Sequence, residues 1–238
     1  MSGTPTQLTE ELTRAHSARD QHGHRDFRLV AHLTQTLSVA AVVAALGAAL
    51  TLEAAPQTWC FLPLFWLIAN FVEWGVHKHL MHKPRIPKVM YRNHALWHHT
   101  AFQQNTLAVR HTWEFSLVMM PWYTLVFVFV FASPIAIAAA VAGGPELAGV
   151  FLVASVAYFL AYELLHTLYH VDPKSIPLRR TLIGRLLLKL RAHHAHHHRL
   201  DRMAVANFNV TVGLADWVLG TSETSETSET ADTDGTSA

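Results

Sequence analysis

Residues 29–52, LVAHLTQTLSVAAVVAALGAALTL, contain no Asp, Glu, Lys or Arg, and the same holds for residues 54–72, 115–145 and 147–162. A helix needs about 20 predominantly apolar residues to cross the hydrocarbon core of a bilayer, and each stretch meets or approaches that length. The spacing predicts four transmembrane helices near 29–52, 57–82, 114–142 and 147–170. The third is long enough to tilt or kink, with Pro134 inside it and Gly143-Gly144-Pro145 at its end. The alternative is buried core helices of a soluble protein. Four such runs in 238 residues, with only 15% charged side chains, leave too little polar surface to cover them. So low a charge content also argues against disorder, a coiled coil and a nucleic-acid partner.

Basic residues orient the spans. Arg14, Arg19, Arg25 and Arg28 precede the first. Lys78, Lys83, Arg85, Lys88, Arg92 and Arg110 lie in the link between the second and third. Lys174, Arg179, Arg180, Arg185, Lys189, Arg191, Arg199 and Arg202 follow the fourth, while the links around Glu53 and Glu146 have no Lys or Arg. All three basic segments, and both termini, are therefore expected on the cytoplasmic side. The expected organisation is a polar cytoplasmic segment over 1–28, a membrane domain over 29–221 and a disordered acidic tail over 222–238. No apolar signal region precedes residue 29, so the first span is expected to act as an uncleaved anchor. Leu178, Leu182, Leu186 and Leu190 recur every four residues among basic ones. That pattern suits a helix lying on the membrane surface, or one packed on a cytoplasmic cap.

Histidine is the anomaly, with 18 copies against 18 for Lys and Arg together. His77 and His82 end the second span, and His94, His98 and His99 follow it. His166 and His170 end the fourth, and His194, His197 and His198 lie beyond. The topology brings all four groups to one level. Residues four apart share a helix face, so His166/His170 and His94/His98 can each aim two imidazoles at one region. His194, His197 and His198 also share a face. His77 and His82 are about 140° apart on a regular helix; a helix end that frays, or two different metals, would accommodate them. Ten imidazoles exceed the four or so that one ion takes, which points to two metal ions. The single cysteine, Cys60, excludes a disulfide framework or a cysteine-based metal site. His32, His79 and His111 are read as interfacial residues, and His16, His22 and His24 as parts of a polar tail. Glu73, Glu163 and Asp216 are the carboxylates nearby, expected to accept the ring N–H of a ligand histidine; helix-packing hydrogen bonds are the alternative.

These residues resemble the fatty acid hydroxylase / sterol desaturase superfamily of membrane di-iron enzymes. The resemblance rests on EWGVHKHLMHKP (73–84), YRNHALWHHTAF (91–102), ELLHTLYH (163–170) and HHAHHHRLDRMAVANFNVTVGLADWVLGT (193–221). It implies an all-α integral membrane fold of four transmembrane helices, with a cytoplasmic helical cap carrying a histidine-ligated dimetal site. The implied ligands are His77, His82, His94, His98, His99, His166, His170, His194, His197 and His198, with Glu73, Glu163, Asn207 and Asp216 supporting them. For the last triplet the frame His193/His196/His197 also fits; His194/His197/His198 is taken, because its distance to NFNVT resembles that of bacterial relatives. The second box has three residues rather than two between its first His and the His-His pair.

The resemblance implies two iron ions, with zinc possible as purified, dioxygen, a membrane lipid substrate and a separate electron donor such as a ferredoxin or small haem protein. The implied reaction is hydroxylation of a fatty-acyl, sterol or carotenoid-like lipid. The alternatives are desaturation on the same scaffold, or a metal-binding or transport protein. The last of these would place ionisable residues along the spans, where only His32 and edge residues occur. Trp66, Phe71, Phe115, Trp122, Tyr158 and Tyr162 are candidates to line a substrate cavity.

Overall fold

The computed structural model describes residues 5–176 and 180–224, and none of these is in a strand. The acidic tail beyond residue 224, with Leu178 and Arg179, lies outside the described residues. Helix α1 is Pro5–His22 and α2 is Leu29–Leu50. A 3₁₀ turn at Pro56–Phe61 leads into α3, Leu62–Val76, whose Pro63 suits the first turn of a helix. Two π-helical turns follow, His77–Met81 and Arg92–His98, the second continuing into His99–Ala101. Helix α4 is Tyr123–Tyr169, α5 is Leu182–His197 and α6 is Leu214–Val218.

Among the described residues three helices, rather than four, are long and apolar enough to cross a membrane: Leu29–Leu50, Pro56–Met81 and Tyr123–Tyr169. Little of them is buried inside the protein. Phe131 is 79% exposed and Val141 84%, and apolar surface on that scale needs lipid or another protein to cover it. The last two predicted spans both fall within α4. The first of them starts later than expected, because residues 112–117 form a 3₁₀ turn that buries Glu114. The Gly143-Gly144 break is real, however. Both glycines have non-helical backbone angles, and Gly144, at φ 80° and ψ 172°, occupies a region open essentially to glycine alone. The chain reverses there: Met120 N–H donates to Glu163 Oε1 at 3.3 Å, and Leu125 and Val156 share one apolar cluster with Ala40 of α2. A straight helix would hold residues 125 and 156 about 45 Å apart at 1.5 Å per residue.

The second limb of α4 packs closely on α2 through two glycines. A Cβ at Gly149 would sit 2.8 Å from the Gly47 carbonyl oxygen, and one at Gly47 would sit 2.9 Å from Val153. The 1–28 segment, read from its composition as a polar extension, instead contributes a packed helix. Ala15 and Ala18 of α1 are buried, and Ala18 lies in a cluster with Ala101, Phe102, Leu107, Leu117 and Val118. Helix α5 starts at Thr181, whose hydroxyl accepts from Gly184 N–H, and packs Leu187 and Leu190 near Tyr169 and Val210. It leaves Leu182 and Leu186 exposed. The histidine-bearing ends of α3, α4 and α5 therefore meet at one end of the helices, walled by α1 and by the loops at 102–111 and 199–213.

Candidate metal centre

All ten singled-out histidines are buried, and they form two groups of five. The first holds His77, His82, His94, His99 and His197; the second holds His98, His166, His170, His194 and His198. Within each group one nitrogen per ring lies within 4.8 Å of all the others, so each can hold a metal ion.

The backbone explains which ring goes where. A π turn closes i→i+5 hydrogen bonds, which places residues five apart on one face. His82 N–H donates to His77 O at 3.1 Å, and His99 N–H donates to His94 O. His77/His82 and His94/His99 thus become two pairs of the first quintet. This corrects the expected His94/His98 pairing: the two rings stack 5.1 Å apart but belong to different quintets. The i, i+4 pairs His166/His170 and His194/His198 both serve the second quintet, while His197 between them turns to the first. Of the two frames for the last triplet, His194/His197/His198 is the one whose three rings all fall in the quintets. His193 instead approaches Asp216 at 3.5 Å, and His196 approaches Glu223 at 3.4 Å.

Backbone carbonyls, not carboxylates, hold five of the ten rings. His77 Nδ1 donates to Phe208 O and His198 Nδ1 to Phe102 O. His98 Nδ1 donates to Leu117 O at 2.7 Å, His170 Nδ1 to Leu107 O at 2.8 Å and His197 Nδ1 to Ala206 O at 2.7 Å. A carbonyl only accepts, so the proton of each neutral ring sits on Nδ1 and Nε2 is a bare lone pair. The Nε2 atoms of His77 and His197 are nonetheless 3.1 Å apart, and those of His98 and His166 are buried with no hydrogen-bond partner. Converging lone pairs without a proton between them are what a cation requires. Burial, reinforced by neighbouring imidazoles, pushes His94, His99, His170, His194, His197 and His198 well below the ordinary histidine value. Burial also lowers His98 to about 3 and His82 to about 2. All eight are neutral at physiological pH, the state in which imidazole binds metal.

The four supporting residues act elsewhere than expected. Glu73 touches no ligand histidine: it accepts from Val210 N–H at 2.5 Å, Thr211 N–H, Thr211 Oγ1 and Tyr158 OH. Asp216 accepts from Phe208 N–H at 2.9 Å and Asn209 N–H at 2.7 Å, and so fixes the strand of chain whose Phe208 carbonyl holds His77. Burial opposes ionisation of Asp216, but its bonds with His193, Asn209, Thr221 and Phe208 outweigh that and hold it below the ordinary carboxylate value. Asn207, at φ 57°, donates to His193 O and Glu223 O. Glu163 accepts from Met120 N–H through Oε1 and leaves Oε2 buried without a partner.

A cavity of about 760 Å³ reaches both quintets, with His94, His98 and His166 in its wall. Met81, Met90, Leu117, Trp122 and Tyr162 supply apolar lining, and His32, read from sequence as interfacial, is buried against it. Of the six candidate aromatics only Trp122 and Tyr162 line it. Trp66 packs edge-on against Tyr158, Tyr158 bonds to Glu73, and Phe115 packs under the loop at 102–111. Sequence reasoning missed the carbonyl acceptors, which have no residue signature. It also missed the buried Arg19–Glu114 pair at 3.1 Å, whose only hint was a charge at the edge of an apolar run.

Neither the curated proteins nor the solved structures contain a match to the chain. The sequence profile of the fatty acid hydroxylase family matches residues 62–221, which include every one of the ten histidines and leave α1 and α2 outside. With two thirds of its length matched, the chain belongs to the fatty acid hydroxylase family.

Proposed function

We propose that the protein is a multi-pass membrane monooxygenase that hydroxylates a lipid. The observation that carries this reading is the pair of buried all-imidazole quintets, which reach a mainly apolar cavity through His94, His98 and His166. Each quintet holds one metal ion, and iron is the working metal; zinc, higher in the divalent affinity series, can replace it during purification. Bound iron supplies reductive dioxygen chemistry and insertion of an oxygen atom into a C–H bond. The balance is R–H plus dioxygen, two electrons and two protons giving R–OH and water, with the electrons coming from a separate donor protein.

The chain's own residues perform three tasks. The carbonyls of Phe102, Leu107, Leu117, Ala206 and Phe208 hold five rings with Nε2 inward, so that geometry is set before metal arrives. The sulfur and aromatic part of the cavity lining suits an alkyl or isoprenoid chain, while Asp26, Arg28, Gln35, Arg92 and Asn93 supply a polar part. The neutral, buried rings keep protons off the ligand atoms.

The reversal at Gly143-Gly144 divides α4 into two limbs, and with α2 and α3 these make four spans. Basic segments then lie on the cytoplasmic side together with the metal centre and both termini. A reporter fused after residue 172 should read as cytoplasmic; an exported reading would refute this topology. Function is tested by lipid analysis of cells with and without the protein under ¹⁸O-labelled dioxygen. A lipid that gains one labelled oxygen supports the proposal. Loss of two hydrogens would instead identify a desaturase, and an unchanged lipid profile would refute both.

A further inference from the structure

Arg19 lies on α1, outside the residues shared with the family, and its side chain is only 3% exposed. Its Nε donates to Ala101 O at 2.9 Å, Nη1 to Ala108 O at 3.2 Å and Glu114 Oε2 at 3.1 Å, and Nη2 to Thr106 O. The guanidinium also lies 4.5 Å over the Phe102 ring. Glu114 Oε2 accepts in addition from Arg110 N–H at 2.9 Å. One planar cation therefore ties together both ends of the loop 101–110. That loop carries Phe102 O and Leu107 O, the acceptors for His198 and His170. Val109 N–H closes the contact by donating to His170 O at 2.8 Å. Both histidines belong to the second quintet. The carbonyls serving the first, Phe208 and Ala206, come from a different part of the chain.

We propose that Arg19 is a positioning residue for the second quintet alone, holding the loop whose Phe102 and Leu107 carbonyls orient His198 and His170. The inference rests on the metal-binding reading above. Lysine cannot replace the fork, because one ammonium cannot span three carbonyls and a carboxylate in a plane. Partners that orient metal-binding histidines are typically worth about 10–100-fold in affinity, which sets the size of the effect.

The test is cobalt(II) titration of the metal-depleted, detergent-purified full chain, followed by cobalt visible absorption, which reports ligand geometry. Arg19→Gln and Arg19→Lys are made in two backgrounds. His77→Ala/His197→Ala leaves only the second quintet, and His170→Ala/His198→Ala leaves only the first. Arg25→Gln, from the exposed pair with Asp20, serves as the control. In the first background Arg19→Gln should weaken cobalt binding about 10–100-fold and alter its spectrum, with Arg19→Lys recovering only part. In the second background binding should be unchanged, which also shows that the variant folds. Unchanged affinity and spectrum in the first background would overturn the proposal, as would equal weakening in both. If the parent protein takes up no cobalt, the metal-binding reading itself fails, a result distinct from either.

Discussion

Asp216 receives a backbone N–H on each of its two oxygens, from Phe208 and Asn209, and an amide cannot reproduce that. Asp216→Asn forces an NH₂ group against one of these donors and leaves it buried and unpaired, at a cost of about 1–3 kcal/mol. The damage should propagate to one place, since Phe208 supplies the carbonyl under His77. A lower unfolding temperature with weaker metal binding at the first quintet is expected, read by thermal melts and by titration. Wild-type stability would contradict the role given to this carboxylate. The ten histidines stood out in the sequence because their spacings and common side were legible. Their partners were not. A carbonyl acceptor belongs to the backbone of any residue, so nothing about Phe102, Leu107 or Leu117 marks them before the loops are folded. Glu73 and Asp216 drew attention as scarce carboxylates near histidines, yet both tie down the 208–211 segment rather than the ring of a ligand histidine.

At the scale of elements, the apolar runs foretold the long apolar helices, three of which, among the described residues, are long and apolar enough to cross a membrane rather than the four expected. The reversal of α4 was also legible: Gly143-Gly144-Pro145 cannot continue a helix. Gly144→Ala should test it, since at φ 80° and ψ 172° a side chain costs about 1–3 kcal/mol. The expected outcome is a lower unfolding midpoint in detergent; an unchanged midpoint would mean that the reversal does not depend on this conformation. The π turns were not legible. A spacing of five between His77 and His82 looked irregular on an α-helix, and only the i→i+5 bonding makes it a pair. The same geometry turns His99 rather than His98 toward His94, which a period of 3.6 residues could not foretell. Helix α1 was also hidden, because its contact with the loop at 101–110 rests on two alanines and one arginine rather than an apolar face.

For the molecule as a whole, a dense cluster of neutral histidines makes stability depend on pH with a definite sign. The folded-state values are depressed, His98 to about 3 and His82 to about 2, so the folded chain refuses protons that the unfolded chain accepts below about 6.5. The contribution is therefore fully present above about pH 6.5 and is lost as pH falls from there, with Asp216 adding the same trend below about 4. Metal-depleted protein should melt at progressively lower temperature between pH 7.5 and 5.5, values chosen about one unit either side of free histidine; a rising melting temperature over that interval would contradict the neutral assignment. Metal strengthens the dependence, because protons and the ion compete for the same lone pairs. In the proposed reading the two quintets are two separate metal sites. Elemental analysis of the purified protein, alongside His77→Ala/His197→Ala and His170→Ala/His198→Ala, measures this directly. About two metal ions per chain are expected in the parent, one for each of the two quintets, and about one in each variant. A parent ratio of one, or loss of all metal from either variant, would contradict that reading.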